Sequence, residues 1–240
     1  MTAGELHGHH RDVTGGWLRP AVFGASDGLV SNGALIAGVA GGAAAVSPGT
    51  SATSAIIVAG LAGLAAGAFS MAVGEYVSVA SQTELAQAEI NRERIELQRA
   101  PEAEQAEMAE VFVARGVEPK LARLVVQQMS HDAEKTLEMH VREELGLDPN
   151  DLPSPYLAAG SSFLAFSVGA VLPVIPYLLG ATSLWPSVVV TVIALLGVGI
   201  LVSRVTVRPW WYAGLRQVLL GGVAFGLTYL FGSLVGGSVG

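Results

Sequence analysis

The chain reads as all-α: an integral membrane protein of five transmembrane helices, with a cytoplasmic three-helix insert between the second and third spans. Three observations predict this. First, 51% of the 240 residues are hydrophobic and 14% are charged, where soluble domains run near a quarter charged. Second, the apolar residues fall in runs long enough to cross a bilayer core, which takes about 20 residues per helix. Third, the charge is concentrated: sixteen of the 20 acidic residues and eight of the 13 basic ones lie between Ser81 and Asp151. That segment carries −8, from 16 acidic against 8 basic residues, so the chain's net charge of −7 is a property of the insert. An anionic surface of this kind argues against nucleic acid as a partner. With no cysteine in the chain, disulfides and thiolate metal sites are excluded.

The spans are Ala21 to Val46, Ser54 to Ala80, Tyr156 to Leu179, Leu184 to Val205, and Trp211 to about Val239. They divide the chain into a tail (1–19), spans one and two (20–80), the acidic segment (81–152) and spans three to five (153–240). Five spans place the termini on opposite sides. Basic residues gather at one set of ends, Arg11 and Arg19 before the first span and Arg204, Arg208 and Arg216 around the last connection. The links Ser47–Thr53 and Gly180–Ser183 are uncharged. The positive-inside rule therefore puts the N-terminus, the acidic segment and the Arg204–Arg216 turn in the cytoplasm. Trp17, Trp185, Trp210 and Trp211 stand at span ends, as interfacial anchors do. The tail carries His7, His9 and His10 without the pattern of a secretory leader; His9 and His10 offer metal ligands, though composition favours a disordered tail. Glycines repeat at i, i+4 in Gly38/Gly42, Gly63/Gly67, Gly222/Gly226 and Gly232/Gly236, a spacing that lets helices approach closely in lipid and fits a homodimer.

Two carboxylates fall inside spans. Asp27 sits in Ser26-Asp27-Gly28, with Ser31 and Asn32 a turn later, and Glu75 sits in Met71-Ala72-Val73-Gly74-Glu75-Tyr76. An ionisable group at membrane depth is costly unless it faces a cavity or a partner, which makes it a functional-site hypothesis; the alternative is a place at the interface. Met71 is four residues from Glu75 on the same helix face, either as packing or as a soft ligand for Fe²⁺ or a similar ion. Pro173 and Pro176 in the third span free backbone carbonyls and bend the helix.

In the insert, Ser81 to Gln98 contains neither Gly nor Pro, so the second span is expected to continue as helix. Pro101 fits the first turn of the next helix, and Gly116 its C-terminal end. A third element runs from Glu118-Pro119, with a break at Ser130, to Leu145-Gly146. Glu89, Glu93 and Glu96 share a face, as do Glu104, Glu107 and Glu110, while His140 and Glu144 are i, i+4. Like charges so spaced repel. Either a cation relieves them or the face is simply solvated. Carboxylates with an imidazole suit Fe²⁺, Mn²⁺ or Zn²⁺; carboxylates alone also accept Ca²⁺ or Mg²⁺. The Glu-x-x-His pairs of di-iron bundles are absent, His131 and Glu134 occurring in reverse order.

Four stretches in order, Ser26-Asp27-Gly28-Leu29-Val30-Ser31-Asn32, Gly67-Ala68-Phe69-Ser70-Met71-Ala72-Val73-Gly74-Glu75-Tyr76-Val77-Ser78, Glu143-Glu144-Leu145-Gly146-Leu147 and Leu172-Pro173-Val174-Ile175-Pro176-Tyr177, resemble the vacuolar iron transporter family. The likeness covers nearly all of the chain after Arg19. It implies a dimeric, five-span, proton-coupled exporter of Fe²⁺, and often Mn²⁺, from the cytosol. It implies acidic ligands at Glu93, Glu96, Glu104, Glu107 and Glu144, and a membrane pathway using Asp27 and Met71. Plant members carry a membrane carboxylate eight residues before the Met, where this chain has Gly63; Glu75 either replaces it or does not. Members with a Met pair before the final Glu differ from Met139-His140-Val141 here, which offers His140 as a candidate nitrogen ligand and leaves the preferred metal open. The expected function is export of Fe²⁺ or Mn²⁺ against protons, without a prosthetic group. The alternative is a membrane-tethered metal buffer or sensor. No nucleophile or oxyanion motif accompanies Asp27 and Glu75, so an enzyme is not expected. The expected location is a bacterial plasma membrane, or a vacuolar membrane in a eukaryote.

Overall fold

The computed structural model describes residues 16–47, 52–205 and 208–239. The histidines and Arg11 of the N-terminal tail lie outside the described residues, as does most of the link after Val46. The described residues are helical: α1 (Leu18–Val46), α2 (Thr53–Arg99), α3 (Pro101–Ala114), α4 (Pro119–Met129), α5 (Ala133–His140), α6 (Pro155–Val171), α7 (Ile175–Leu178), α8 (Trp185–Val205) and α9 (Trp210–Val239), with a π-helical turn at Val141–Leu145 after α5. The chain divides into two compact units, residues 1–77 with 155–240 and residues 78–154; α2 supplies helix to both.

In the first unit, α1, α2, α8 and α9 are long and apolar enough to cross a membrane, and α6 is a shorter apolar helix. The third run, read as one span from Tyr156 to Leu179, is broken at Leu172-Pro173-Val174 into α6 and α7. The prolines are the cause. Neither has an N–H to donate, and each ring crowds the carbonyl four residues earlier. Val174 N–H turns back to Val171 O at 3.0 Å, leaving Ala170 O free. Asn32 Nδ2 donates to that oxygen at 2.6 Å, and Ser187 Oγ donates to Pro173 O at 2.7 Å. Side chains from other helices thus satisfy the carbonyls the break exposes, as the bilayer interior requires.

Helix packing in this unit runs through glycine. A Cβ on Gly24 or Gly28 of α1 would overlap the Ser162 or Phe166 carbonyl of α6, and one on Gly169 would overlap Ala25 O. Two of the i, i+4 pairs meet each other within the chain: a Cβ on Gly232 or Gly236 of α9 would overlap Gly38 or Gly42 of α1. Gly222 and Gly226 face open space. The Ser26-Asp27-Gly28 motif therefore divides its work. Gly28 admits α6, and Ser26 Oγ accepts from Gln217 Nε2 of α9 at 3.2 Å. Outward-facing side chains are large and apolar, Phe69, Val73, Leu164, Ile193 and Leu227 among them. Trp17, Trp185, Trp210 and Trp211 stand exposed at helix starts.

The second unit has a core of its own. Met108, Ala109, Ala122, Val126 and Met139 form one cluster, and Ile90, Leu137 and Val141, flanked by Leu97 and Leu145, form another. Pro101 opens α3, and Gly116 follows it with φ +96°. The third expected element is two helices. Ser130 ends α4 by donating its hydroxyl to Val126 O at 2.7 Å, and the Asp132 carboxylate caps α5 by accepting from the N–H groups of Glu134 and Lys135.

Candidate metal centre and membrane cavity

The π-helical turn begins immediately after His140 and ends at Gly146 in the left-handed region. A π turn widens a helix by one residue and is common at functional sites. Leu137, Met139 and Val141 anchor this stretch in the core, so His140 between them is fully buried. Its Nδ1 lies 2.9 Å from Glu93 Oε1 of α2 and 3.1 Å from Glu144 Oε1. These contacts are short but not aligned as hydrogen bonds: Glu93 Oε1 and both ring nitrogens of His140 have no hydrogen-bond partner. Glu104 of α3 completes the group. Ligand atoms of Glu93, Glu104 and His140 lie within 4.8 Å of one another. Several unsatisfied donor atoms converging on one point, mixed carboxylate and imidazole, form a set that suits a divalent first-row ion.

The electrostatics are those of crowded anions. Burial raises the Glu93 carboxyl above its ordinary value, Glu144 raises it further, and His140 opposes the rise. Glu104 is raised by burial and then by Glu107, Glu144 by burial and then by Glu107 and Glu104. Glu96 adds to all three. Glu96 itself is held by Arg92 at 3.2 Å, and Glu107 is exposed. Four of the six residues named from sequence thus meet around the imidazole, Glu93, Glu104, Glu144 and His140, while Glu96 and Glu107 act on them as neighbouring charges. Glu89 pairs loosely with Arg92 at 4.0 Å, and Arg115 with Glu143.

In the membrane unit, Asp27, Met71 and Glu75 line one cavity of about 420 Å³, together with Ser31, Asn32, Gly63, Ser70 and Phe166. Asp27, Met71 and Glu75 are each half-buried. Gly63 is bare because Asn32 and Leu35 fill its surroundings: a Cβ there would stand 2.7 Å from Asn32 Oδ1. Asn32 is the lining residue that sequence reading passed over. It was visible beside Asp27 in the motif, but its partners, Gly60 and Ala170, are far away in sequence.

Known proteins give this geometry a context. The VIT family profile matches residues 18–233. "Vacuolar iron transporter 1" of Oryza sativa subsp. japonica is 31% identical over 233 residues, covering 95% of this chain and 90% of that protein. "Vacuolar iron transporter" of Acanthamoeba castellanii is 36% identical over 217 residues, 90% of this chain and 74% of the relative. "Vacuolar iron transporter" of Plasmodium berghei is 28% identical over 243 residues, 96% and 86%. With the profile spanning most of its length and the motif residues around one cavity, this multi-pass membrane protein belongs to the VIT family.

Proposed function

We propose that the protein is a secondary transporter that carries Fe²⁺, and Mn²⁺ by the same ligand chemistry, out of the cytosol in exchange for protons. The observation that carries this reading is Asp27: a carboxylate inside an apolar helix, facing a cavity it shares with Met71 and Glu75. Relatives named as iron transporters along nearly the whole chain support the same cargo. Carboxylate oxygens bind a cation only when deprotonated, so protonation releases metal and couples the two fluxes. The working form is a homodimer with five spans, α6 and α7 counted as one interrupted span, and residues 81–152 in the cytoplasm. There Glu93, Glu104, Glu144 and His140 gather the ion, with Glu96 and Glu107 lending charge, and Zn²⁺ is accepted as well. Asp27, Met71 and Glu75 then form the translocation site.

Proteoliposomes containing the full-length protein test this. Fe²⁺ uptake under anaerobic conditions should follow an imposed pH gradient, collapse with a protonophore, and vanish in Asp27→Ala. Flux in that variant equal to the parent's would remove Asp27 from the pathway. The second reading, a membrane-tethered metal buffer or sensor, draws on the Glu93–Glu104–His140 group. It requires saturable binding with no metal crossing the bilayer.

A further inference from the structure

We propose that the side-chain carbonyl of Asn32 is an uncharged oxygen ligand for the transported cation, an inner station in the membrane cavity beyond Asp27. This rests on the transport reading above. Asn32 is 2% exposed. Its Nδ2 donates to Gly60 O on α2 at 3.1 Å and to Ala170 O on α6 at 2.6 Å. Both partners are carbonyls, which accept only, so the amide has one orientation; turned over, it would set Oδ1 against two oxygens. Oδ1 is then fixed on the other side and has no hydrogen-bond partner.

Bracing the α6 break accounts for the amide nitrogen and leaves the oxygen unexplained. A buried acceptor left alone is costly, and this one belongs to a residue of the cavity wall that holds Asp27 and Met71. Opposite it stands Gly63, where a single Cβ would come within 2.7 Å of the oxygen. The missing side chain is what lets α2 pass this close to the carbonyl. Asn32 lies five residues along α1 from Asp27, about 7.5 Å further by helical rise.

The chemistry selects the ligand. An amide oxygen accepts hydrogen bonds or coordinates hard and borderline cations, Fe²⁺ and Mn²⁺ among them. It carries no charge and does not titrate, so it holds a divalent ion more weakly than Asp27 does. A weaker site past a stronger one lets the ion enter and still leave.

The test uses purified full-length protein with Mn²⁺ as probe: binding is read in a background carrying Glu93→Gln and Glu104→Gln, which quiets the acidic centre, and flux is read with that centre intact. Asn32→Asp places a charged oxygen at the same point while its second oxygen meets the Gly60 and Ala170 carbonyls in place of the amide N–H; in the folded variant Mn²⁺ binding is expected to tighten about tenfold. Asn32→Leu removes the oxygen and is expected to slow Mn²⁺ flux in proteoliposomes about tenfold, with the Kd set at Asp27 changed less than about twofold. Gly63→Ala presses a methyl group onto Oδ1 while leaving Asn32 in place. It should slow flux in the same direction, and it decides the matter if the Asn32 variants fail to fold. Asn32→Asp binding no tighter than the parent, or Gly63→Ala flux equal to the parent's, overturns the assignment. A parent that binds Mn²⁺ and moves none overturns the transport reading instead, and tightening by Asn32→Asp still upholds the ligand.

Discussion

Residues 78–154 bring more charge to their centre than it can hold comfortably: Glu93, Glu104 and Glu144 crowd one buried imidazole, with Glu96 and Glu107 close enough to add repulsion. The membrane cavity is sparing. It offers one aspartate, one glutamate, a thioether, an amide and the hydroxyls of Ser31 and Ser70 along a wall that is mostly apolar. Dense carboxylates with an imidazole favour capture, since each added charge raises affinity for a divalent ion. A few mixed ligands at membrane depth favour passage, because an ion held too tightly there would not leave. In the transport mechanism we propose, the same cation chemistry takes two forms, one suited to holding and one to release.

The sharpest way to break this contrast is to remove charge from the dense centre. Glu93→Gln should weaken Mn²⁺ or Zn²⁺ binding there about 100-fold, on the scale of losing one ligand. It should also stabilise the metal-free unit, because the carboxylate it replaces is buried among like charges. Titration calorimetry and hydrogen exchange of α5 on the full-length protein read the two effects; weaker binding with a less stable metal-free unit would mean a structural role for Glu93. In the membrane unit the corresponding weakness is steric. Gly28→Val drives a side chain into the Phe166 carbonyl and should destabilise by about 1–3 kcal/mol. Gly222→Val, which meets nothing within 4 Å, should leave thermal unfolding in detergent unchanged.

Acidity separates the regions further. Glu93, Glu104 and Glu144 have carboxyls raised above the ordinary 4.5. Folding therefore takes up protons that the unfolded chain has released, and stability of the metal-free unit rises as pH falls from neutral through the raised values. Metal affinity falls over the same interval, because the ligands must be deprotonated. The protection factors of α5 amides, exchange rates corrected for the intrinsic pH dependence, should rise on mild acidification without metal and fall with Mn²⁺ present; parallel trends would remove the link between these carboxylates and the ion. Among the carboxylates around His140 the smallest effect belongs to Glu107. Glu107→Gln should weaken binding only about threefold, as an exposed charge acting through screened distance does.

Much of this was written locally in the chain. Pro101, Gly116 and the Ser130 break are punctuation that acts within a few residues, and helical spacing alone placed Asp27 with Ser31 and Met71 with Glu75. Glutamate spacing named the two helices whose carboxylates meet, Glu93 of α2 and Glu104 of α3. It did not distinguish Glu93, which turns inward to His140, from Glu96, which is drawn to Arg92 three ångströms away. The interrupted third span was half legible. Two prolines announced a bend, but the carbonyls they free are met by Asn32 and Ser187 from other helices, and nothing near residue 170 encodes that. Glycine spacing likewise announced close packing without saying that α1 and α9 of the same chain would be the pair.

The role of Asp27 in transport is decided by measuring bound and transported metal in one preparation: full-length protein in proteoliposomes, Fe²⁺ under anaerobic conditions, parent beside Asp27→Ala. A pH-driven flux is expected in the parent and none in Asp27→Ala, with equal occupancy of the Glu93–His140 centre in both. Full occupancy with no flux in the parent, or undiminished flux in Asp27→Ala, would contradict that role.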